Sequence, residues 1–222
     1  CIRDRQLVTM QNHMPYGDFY DNNEFVDADI SEGLSESEKY NIDAYTKGIN
    51  WTDQETADFL NQLDQMDKPI TVIFYGDHLP GIYATADENK NNKTVLHETD
   101  YFIWSNSASV SHGAKVDPST TAYTSSNYFM PLAAEHMNAK VSPYLAMLTD
   151  LKQQIPAMSR VIGFNGGIGQ GKATYLDQNG NRIKATKVSR KAQQLLEDYK
   201  LGQYGQTIGK NYLKNTGFTK VP

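Results

Sequence analysis

The only cysteine stands at position 1, so no internal disulfide can form and thiol usage assigns the chain to no compartment. Long apolar runs are missing too. The strongest, Ile70-Thr-Val-Ile-Phe-Tyr75, falls far short of the roughly 20 residues that span a bilayer, which excludes a membrane helix. Positive charge is not in excess: 21 Lys and Arg face 26 Asp and Glu, for a formal charge of -5. With no basic stripe, phosphate-backbone binding has no electrostatic footprint, so nucleic acid is excluded as a partner. The start, Cys1-Ile-Arg-Asp-Arg-Gln6, has neither an initiator methionine nor a basic region followed by an apolar stretch, and the expectation is a piece of a longer protein. Internal repeats and low-complexity tracts are lacking as well.

What is present is an ordinary folding composition. With 222 residues, 39% of them apolar, the chain can bury one good core, and a mean hydropathy of -0.60 with 14 tyrosines indicates a solvated surface. Leu7–Met10 reads as a short buried strand running into a Pro/Gly turn at Gln11–Gly17. The acidic stretch from Asp18 to Glu38 reads as a surface excursion. A helix is expected from Thr52 or Asp53 to Met66, with Thr56, Phe59, Leu60 and Leu63 on one face. Lys68-Pro69 stops it, and Ile70–Tyr75 has the continuous β-branched and aromatic character of a strand covered on both faces.

Tyr101–Trp104 is the next expected strand. Helices follow from about Ser125, with Phe129, Leu132, Ala133 and Met137 sharing a side, and through Tyr144, Leu145, Leu148 and Leu151. After Pro156 the pattern becomes antiparallel: Arg160–Phe164, then Ala173–Leu176 and Arg182–Ala185 around the turn signal Asn179-Gly180. A last helix begins near Ser189. The fold class is α/β, with a small C-terminal hairpin and a final helix.

The sharpest chemical signal is Phe74-Tyr-Gly-Asp77-His78-Leu-Pro80, directly after the Ile70–Tyr75 run. Open α/β sheets bind ligands beyond the carboxyl ends of their strands. Gly76 and Pro80 supply the freedom and the stop that let neighbouring side chains leave opposite strand faces and converge. A carboxylate and an imidazole suit zinc or manganese and would be unusual for calcium. The bland alternative is a turn-capping Asp and a His bonded to backbone. His13 is the second candidate, placed after an apolar stretch and before a Pro-containing turn, although a lone histidine is more often a structural or surface residue.

Taken together, Val8-Thr-Met-Gln-Asn-His13-Met-Pro-Tyr16, the Gly76-Asp77-His78 segment and Thr99-Asp-Tyr-Phe-Ile-Trp-Ser-Asn106 resemble, in this order and spacing, the lipoteichoic acid synthases and related sulfatase-like phosphoglycerol transferases of the alkaline phosphatase superfamily. The resemblance covers about residues 5 to 155, and more loosely the final helix. It implies that Asp77 and His78 ligate one divalent metal, usually manganese, with zinc or magnesium as alternatives. It implies substrate binding for His13, against the phosphoglycerol group. It further implies residues 1–155 as the C-terminal portion of a sulfatase-like catalytic domain and 156–222 as a small hairpin-plus-helix subdomain of the same unit.

In that family a threonine takes glycerol phosphate from phosphatidylglycerol and passes it to a growing polymer, on the outer face of a Gram-positive-type membrane. The threonine and an acidic metal ligand lie N-terminal to the segment matched by His13. The chain is therefore expected to lack the nucleophile, to hold metal weakly and to be inactive alone. Its expected partners are the missing N-terminal half, phosphatidylglycerol or a glycerol-phosphate polymer, and a second copy of itself. The competing readings are a sulfatase or phosphodiesterase of the same superfamily, and a non-catalytic module that binds an anionic glycopolymer.

Three other features carry less. Gly166-Gly-Ile-Gly-Gln-Gly171-Lys172 matches the start of a phosphate-binding loop, but Ala173 stands where its hydroxyl belongs. His97, His112 and His136 have no ligand-like spacing and read as structural. Ser105, Ser107, Ser109 and Ser111 lack the glycine pattern of a nucleophile elbow.

Overall fold

The computed structural model describes residues 4–16, 20–26, 32–78, 80–88, 94–159 and 173–222. The chain divides into two compact units: Cys1–Met66 with Gly76–Asp100, and Asp67–Tyr75 with Tyr101–Pro222.

The first unit is built on one long helix, α1 (Glu36–Asp64). It starts well before the expected Thr52, because Ser35-x-x-Glu38 forms a reciprocal capping box that closes the first turn. The acidic residues read as a surface excursion thus end in a helix start, where negative charge favours the helix dipole. A five-residue helix, α2 (Ala84–Glu88), follows the Asp77-His78 segment.

Leu7–Met10 is not a strand. Leu7, Val8 and Met10 are exposed, and among the described residues no segment pairs with them. A strand exists only where a neighbour takes its backbone groups, so apolar content alone was insufficient.

The second unit contains two antiparallel strand pairs. β1 (Thr71–Tyr75) pairs with β2 (Tyr101–Ser105) from Thr71↔Ser105 to Tyr75↔Tyr101. Phe74 and Phe102, cross-strand partners, stack with centroids 5.0 Å apart. The expected double-sided cover of this run is incomplete: Phe74 and Tyr75 are exposed at its end. The other end is tied by a buried polar cluster in which the Ser105 hydroxyl meets Thr71, Ser111 and His136 Nε2 at 2.8 to 2.9 Å.

After a short helix, α3 (Pro118–Thr121), come α4 (Phe129–His136) and α5 (Pro143–Gln154). Ser142 caps α5 by accepting from Leu145 N–H, and Pro143 sits where a helix needs no donor. β3 (Ala157–Ser159) pairs with β4 (Thr174–Leu176). The second arm of the expected hairpin shrinks to one bridge, Leu176↔Arg182. Its turn is held by the Asp177 carboxylate, which accepts from Asn179 and Asn181 N–H, and by Gly180 at φ +75°. Arg160–Phe164 and the glycine cluster lie outside the described residues.

The final helix, α6 (Arg190–Thr207), begins at the Ser189 cap. It buries Ala192 and Leu196 against Tyr128, Leu148, Leu151 and Ile155. Each such large apolar side chain contributes about 1.5–3 kcal/mol on burial, so this cluster is the main source of cohesion in the second unit.

Candidate functional site

Every candidate site residue falls in the first unit. Asp77 and His78 leave β1 through Gly76, where close approach matters: a Cβ there would lie 2.9 Å from the Thr99 side chain, whose hydroxyl donates to Gly76 C=O at 3.1 Å. Departure from strand geometry lets the two side chains converge, with Asp77 Oδ2 3.7 Å from His78 Nε2. Both stay well exposed, 67% and 61%.

His13 reaches the same place from far away in sequence. Its ring lies edge-on to His78, with centroids 6.1 Å apart and planes at 88°. A turn closed by His13 N–H to Met10 C=O carries it. His13 Nδ1 lies 2.7 Å from Met14 C=O; a carbonyl only accepts, so Nδ1 donates this bond and Nε2 is the remaining ring nitrogen.

Two sets of contacts hold this turn. Gln11 and Asn12 amides both donate to Thr52 Oγ1 on α1, at 3.2 and 2.7 Å. Tyr16 packs edge-to-face on Tyr45 of α1, 5.5 Å between centroids, and bonds to the Gly81 backbone. Burial pushes the Tyr16 phenol pKa up. The Tyr45 phenol rises too, mainly by burial and further by nearby Tyr83, Tyr16 and the Asp77 carboxylate. Both phenols therefore stay protonated at physiological pH.

The loop after His78 is clamped by a residue that sequence reasoning missed. Glu38 accepts from Thr85 N–H and Oγ–H, both at 2.7 Å, and from Ser35 N–H and Oγ–H at 3.1 and 2.8 Å. Four donors on one carboxylate, led by the Thr85 backbone, hold its pKa down to about 2. The capping-box pattern Ser35-x-x-Glu38 was visible in the sequence, but the partner Thr85, 47 residues on, was not.

As a metal site the donor set is half complete. Two ligands of one ion, each ~2.1 Å from it, lie at most about 4.2 Å apart, and the Asp77–His78 separation fits within that span. Carboxylate and imidazole suit a borderline divalent metal. Among the described residues, however, no group of three His, Cys, Asp or Glu is close enough to share an ion.

The remaining histidines have other partners. His136, buried at the end of α4, bonds to Ser105, and its pKa is lowered by burial. His112 Nδ1 donates to Ser105 C=O. Ser105, Ser109 and Ser111 are buried in the polar cluster at the β1–β2 end, with no exposed nucleophile geometry.

The mixed helix-and-strand chain belongs to the alkaline phosphatase superfamily, whose members are generally metal-dependent enzymes. The chain belongs to the sulfatase family, whose sequence pattern matches residues 6–139. Among solved structures it is similar to the Streptococcus pyogenes phosphoglycerol transferase GacH in complex with sn-glycerol-1-phosphate, with 32% identity and a TM-score of 0.61 over 86% of this chain and 42% of that one. That likeness gives it the alkaline-phosphatase-like fold. It is also 27% identical, over 114 residues, to the "Putative cyclic beta-1,2-glucan modification protein" of Rhizobium meliloti (strain 1021), covering 45% of this chain and 17% of the relative. The chain thus spans less than half the length of either protein.

Proposed function

We propose that the chain is the metal-ligand-bearing part of a phosphoglycerol transferase working on the outer face of the cell membrane. The observation that carries this is the approach of the His13 ring to the Asp77-His78 pair in the first unit, in a family member whose solved relative is a phosphoglycerol transferase.

Asp77 and His78 would hold one divalent ion, manganese in the first instance. Bound there, the ion supplies Lewis acidity, lowering the pKa of a hydroxyl nucleophile and neutralising charge on phosphoryl oxygens. His13 binds the glycerol phosphate: Nδ1 is fixed on Met14 C=O, which leaves Nε2 to meet the ligand and exchange a proton with it. In the first displacement a threonine oxygen bonds to phosphorus while the diacylglycerol oxygen leaves and is protonated. In the second, an acceptor hydroxyl displaces the threonine. The relative named for glucan modification supports a glycan hydroxyl as that acceptor.

In this reading the threonine and the remaining metal ligands come from segments beyond these 222 residues. The exposure of the apolar Leu7, Val8 and Met10 supports that. The chain alone then binds metal weakly and turns nothing over.

The test is calorimetric titration of manganese into this chain, into a longer one extended N-terminally, and into the Asp77→Ala variant of each, followed by headgroup transfer from labelled phosphatidylglycerol. Tight binding and transfer by the longer wild type, both lost in Asp77→Ala, is the expected result. Hydrolysis of a sulfate ester in place of transfer would favour a sulfatase. Absence of manganese and zinc binding from the longer chain would overturn the metal assignment and leave a binding module.

A further inference from the structure

The turn that carries His13 also forms one wall of a cleft. Gln11, two residues before His13, lines it together with Tyr20 and with Trp51 and Glu55 of α1, around about 450 Å³. That volume is within the range of small-molecule sites. Trp51 and Glu55 are one helical turn apart and share a face. Trp51 keeps 47% of its surface exposed, and Lys47 Nζ lies over its ring, 5.8 Å from the centroid. The wall is braced: the Gln11 and Asn12 amides hang from Thr52 Oγ1, which itself donates to Gly48 C=O at 3.0 Å.

Two aromatic rings, an amide and a carboxylate around one opening match the chemistry of a pyranose, whose C–H face stacks on rings while its hydroxyls bond to amide and carboxylate oxygens. The charge pattern decides between the two halves of a glycerol-phosphate transfer. Among the described residues the lining contains one carboxylate and no Lys, Arg or His, and the neighbouring Lys47 is already paired with Glu24, so a phosphate there would meet repulsion with no uncommitted cation in the lining to offset it. A neutral sugar meets no such cost.

We propose that the Gln11–Tyr20–Trp51–Glu55 cleft is a subsite for a neutral saccharide, the glycan that presents its hydroxyl to the glycerol phosphate at His13. The role as acceptor subsite rests on the transferase reading; the affinity for neutral sugar does not.

The experiment is calorimetric titration of a short neutral β-glucan oligosaccharide, and of the same oligosaccharide bearing a phosphate monoester, into the wild-type chain and into Trp51→Ala, Glu55→Gln and Asp77→Ala. The neutral sugar is expected to bind, to lose about tenfold in Trp51→Ala, and to be unchanged in Asp77→Ala. Glu55→Gln is expected to narrow the preference for the neutral over the phosphorylated sugar, a gain that damaged folding cannot produce. Absence of sugar binding, equal binding by Trp51→Ala, or a preference for the phosphorylated sugar in the wild type overturns the proposal. Sugar binding that needs Trp51, with no transfer by the longer chain, would sink the transferase reading and leave the saccharide site standing. Transfer with no dependence on Trp51 in sugar binding would do the reverse.

Discussion

The two units are held together by different physics. In the unit of Asp67–Tyr75 and Tyr101–Pro222, Tyr128, Leu148, Leu151, Ile155, Ala192 and Leu196 form a continuous apolar cluster between helices whose ends are capped locally. In the unit of Cys1–Met66 and Gly76–Asp100, the buried hydrophobics among the described residues are Ala44 and Ile82. Cohesion there comes from side-chain hydrogen bonds: Glu38 to Ser35 and Thr85, Thr52 to Gln11 and Asn12, Tyr16 to Gly81. Each such bond is worth about 0.5–1.5 kcal/mol net, less than the burial of one leucine. The unit that bears the candidate site is thus the one secured by polar clamps, and its side chains remain open to solvent and ligand.

The contrast breaks first at Leu151. Leu151→Ala removes a fully buried side chain from the apolar cluster and should cost about 2–5 kcal/mol in urea unfolding, while leaving sugar affinity at the first unit's cleft unchanged. An equal loss of both would show that the units do not respond separately.

A smaller effect is expected at Gly48. Alanine inside a helix normally gains up to ~1 kcal/mol over glycine. Here the added Cβ would lie 2.5 Å from Asn12 Oδ1 and 3.0 Å from Tyr20 Oη, which outweighs that gain. Gly48→Ala should be destabilised by about 1 kcal/mol and should shift the NMR signals of the His13 ring, because the Asn12–Thr52 bond has to move. A stabilised variant would mean that the turn is not held against α1.

The smallest effect sharpens the comparison by pH. Burial lowers the His136 pKa below its ordinary 6.5, so the unfolded chain binds the proton more readily. The second unit should therefore lose stability as pH falls below about 6.5, and His136→Gln should flatten that decline. Glu38, held at about 2 against an ordinary 4.5, stabilises the first unit fully above pH 4.5 and loses its effect as pH falls toward 2. Thermal melts followed by unit-specific NMR signals from pH 7.5 to 3 should show the second unit weakening first. The opposite order would refute the assignment of these two groups.

Much of the second unit was legible from the sequence because its signals are local. Ser142-Pro143 and Ser189 cap helices within three residues of themselves, and the β-branched run at Ile70–Tyr75 excludes most alternatives. The first unit was read less well. Leu7–Met10 has strand composition but no partner, and the start of α1 was hidden in an acidic stretch until Ser35 and Glu38 were seen to cap each other. The candidate site divides in the same way. Asp77 and His78 are neighbours in the chain, so their convergence needed only a glycine exit from a strand. The bracing contacts of Glu38 with Thr85 and of Thr52 with Asn12 escaped notice because the partners are 40 or more residues apart in the chain.

By itself, the sequence determined the family, the helical and extended character of most segments, and a carboxylate and an imidazole side by side after a strand. Those follow from composition, periodicity and adjacency, which act over a few residues. Only the tertiary structure decided that His13 comes within 6.1 Å of His78, ring to ring, that Glu38 clamps the loop beyond them, and that Trp51 and Glu55 face the same turn as Gln11. Each depends on closing loops of tens of residues, where the selecting energy is a handful of hydrogen bonds that no local pattern encodes.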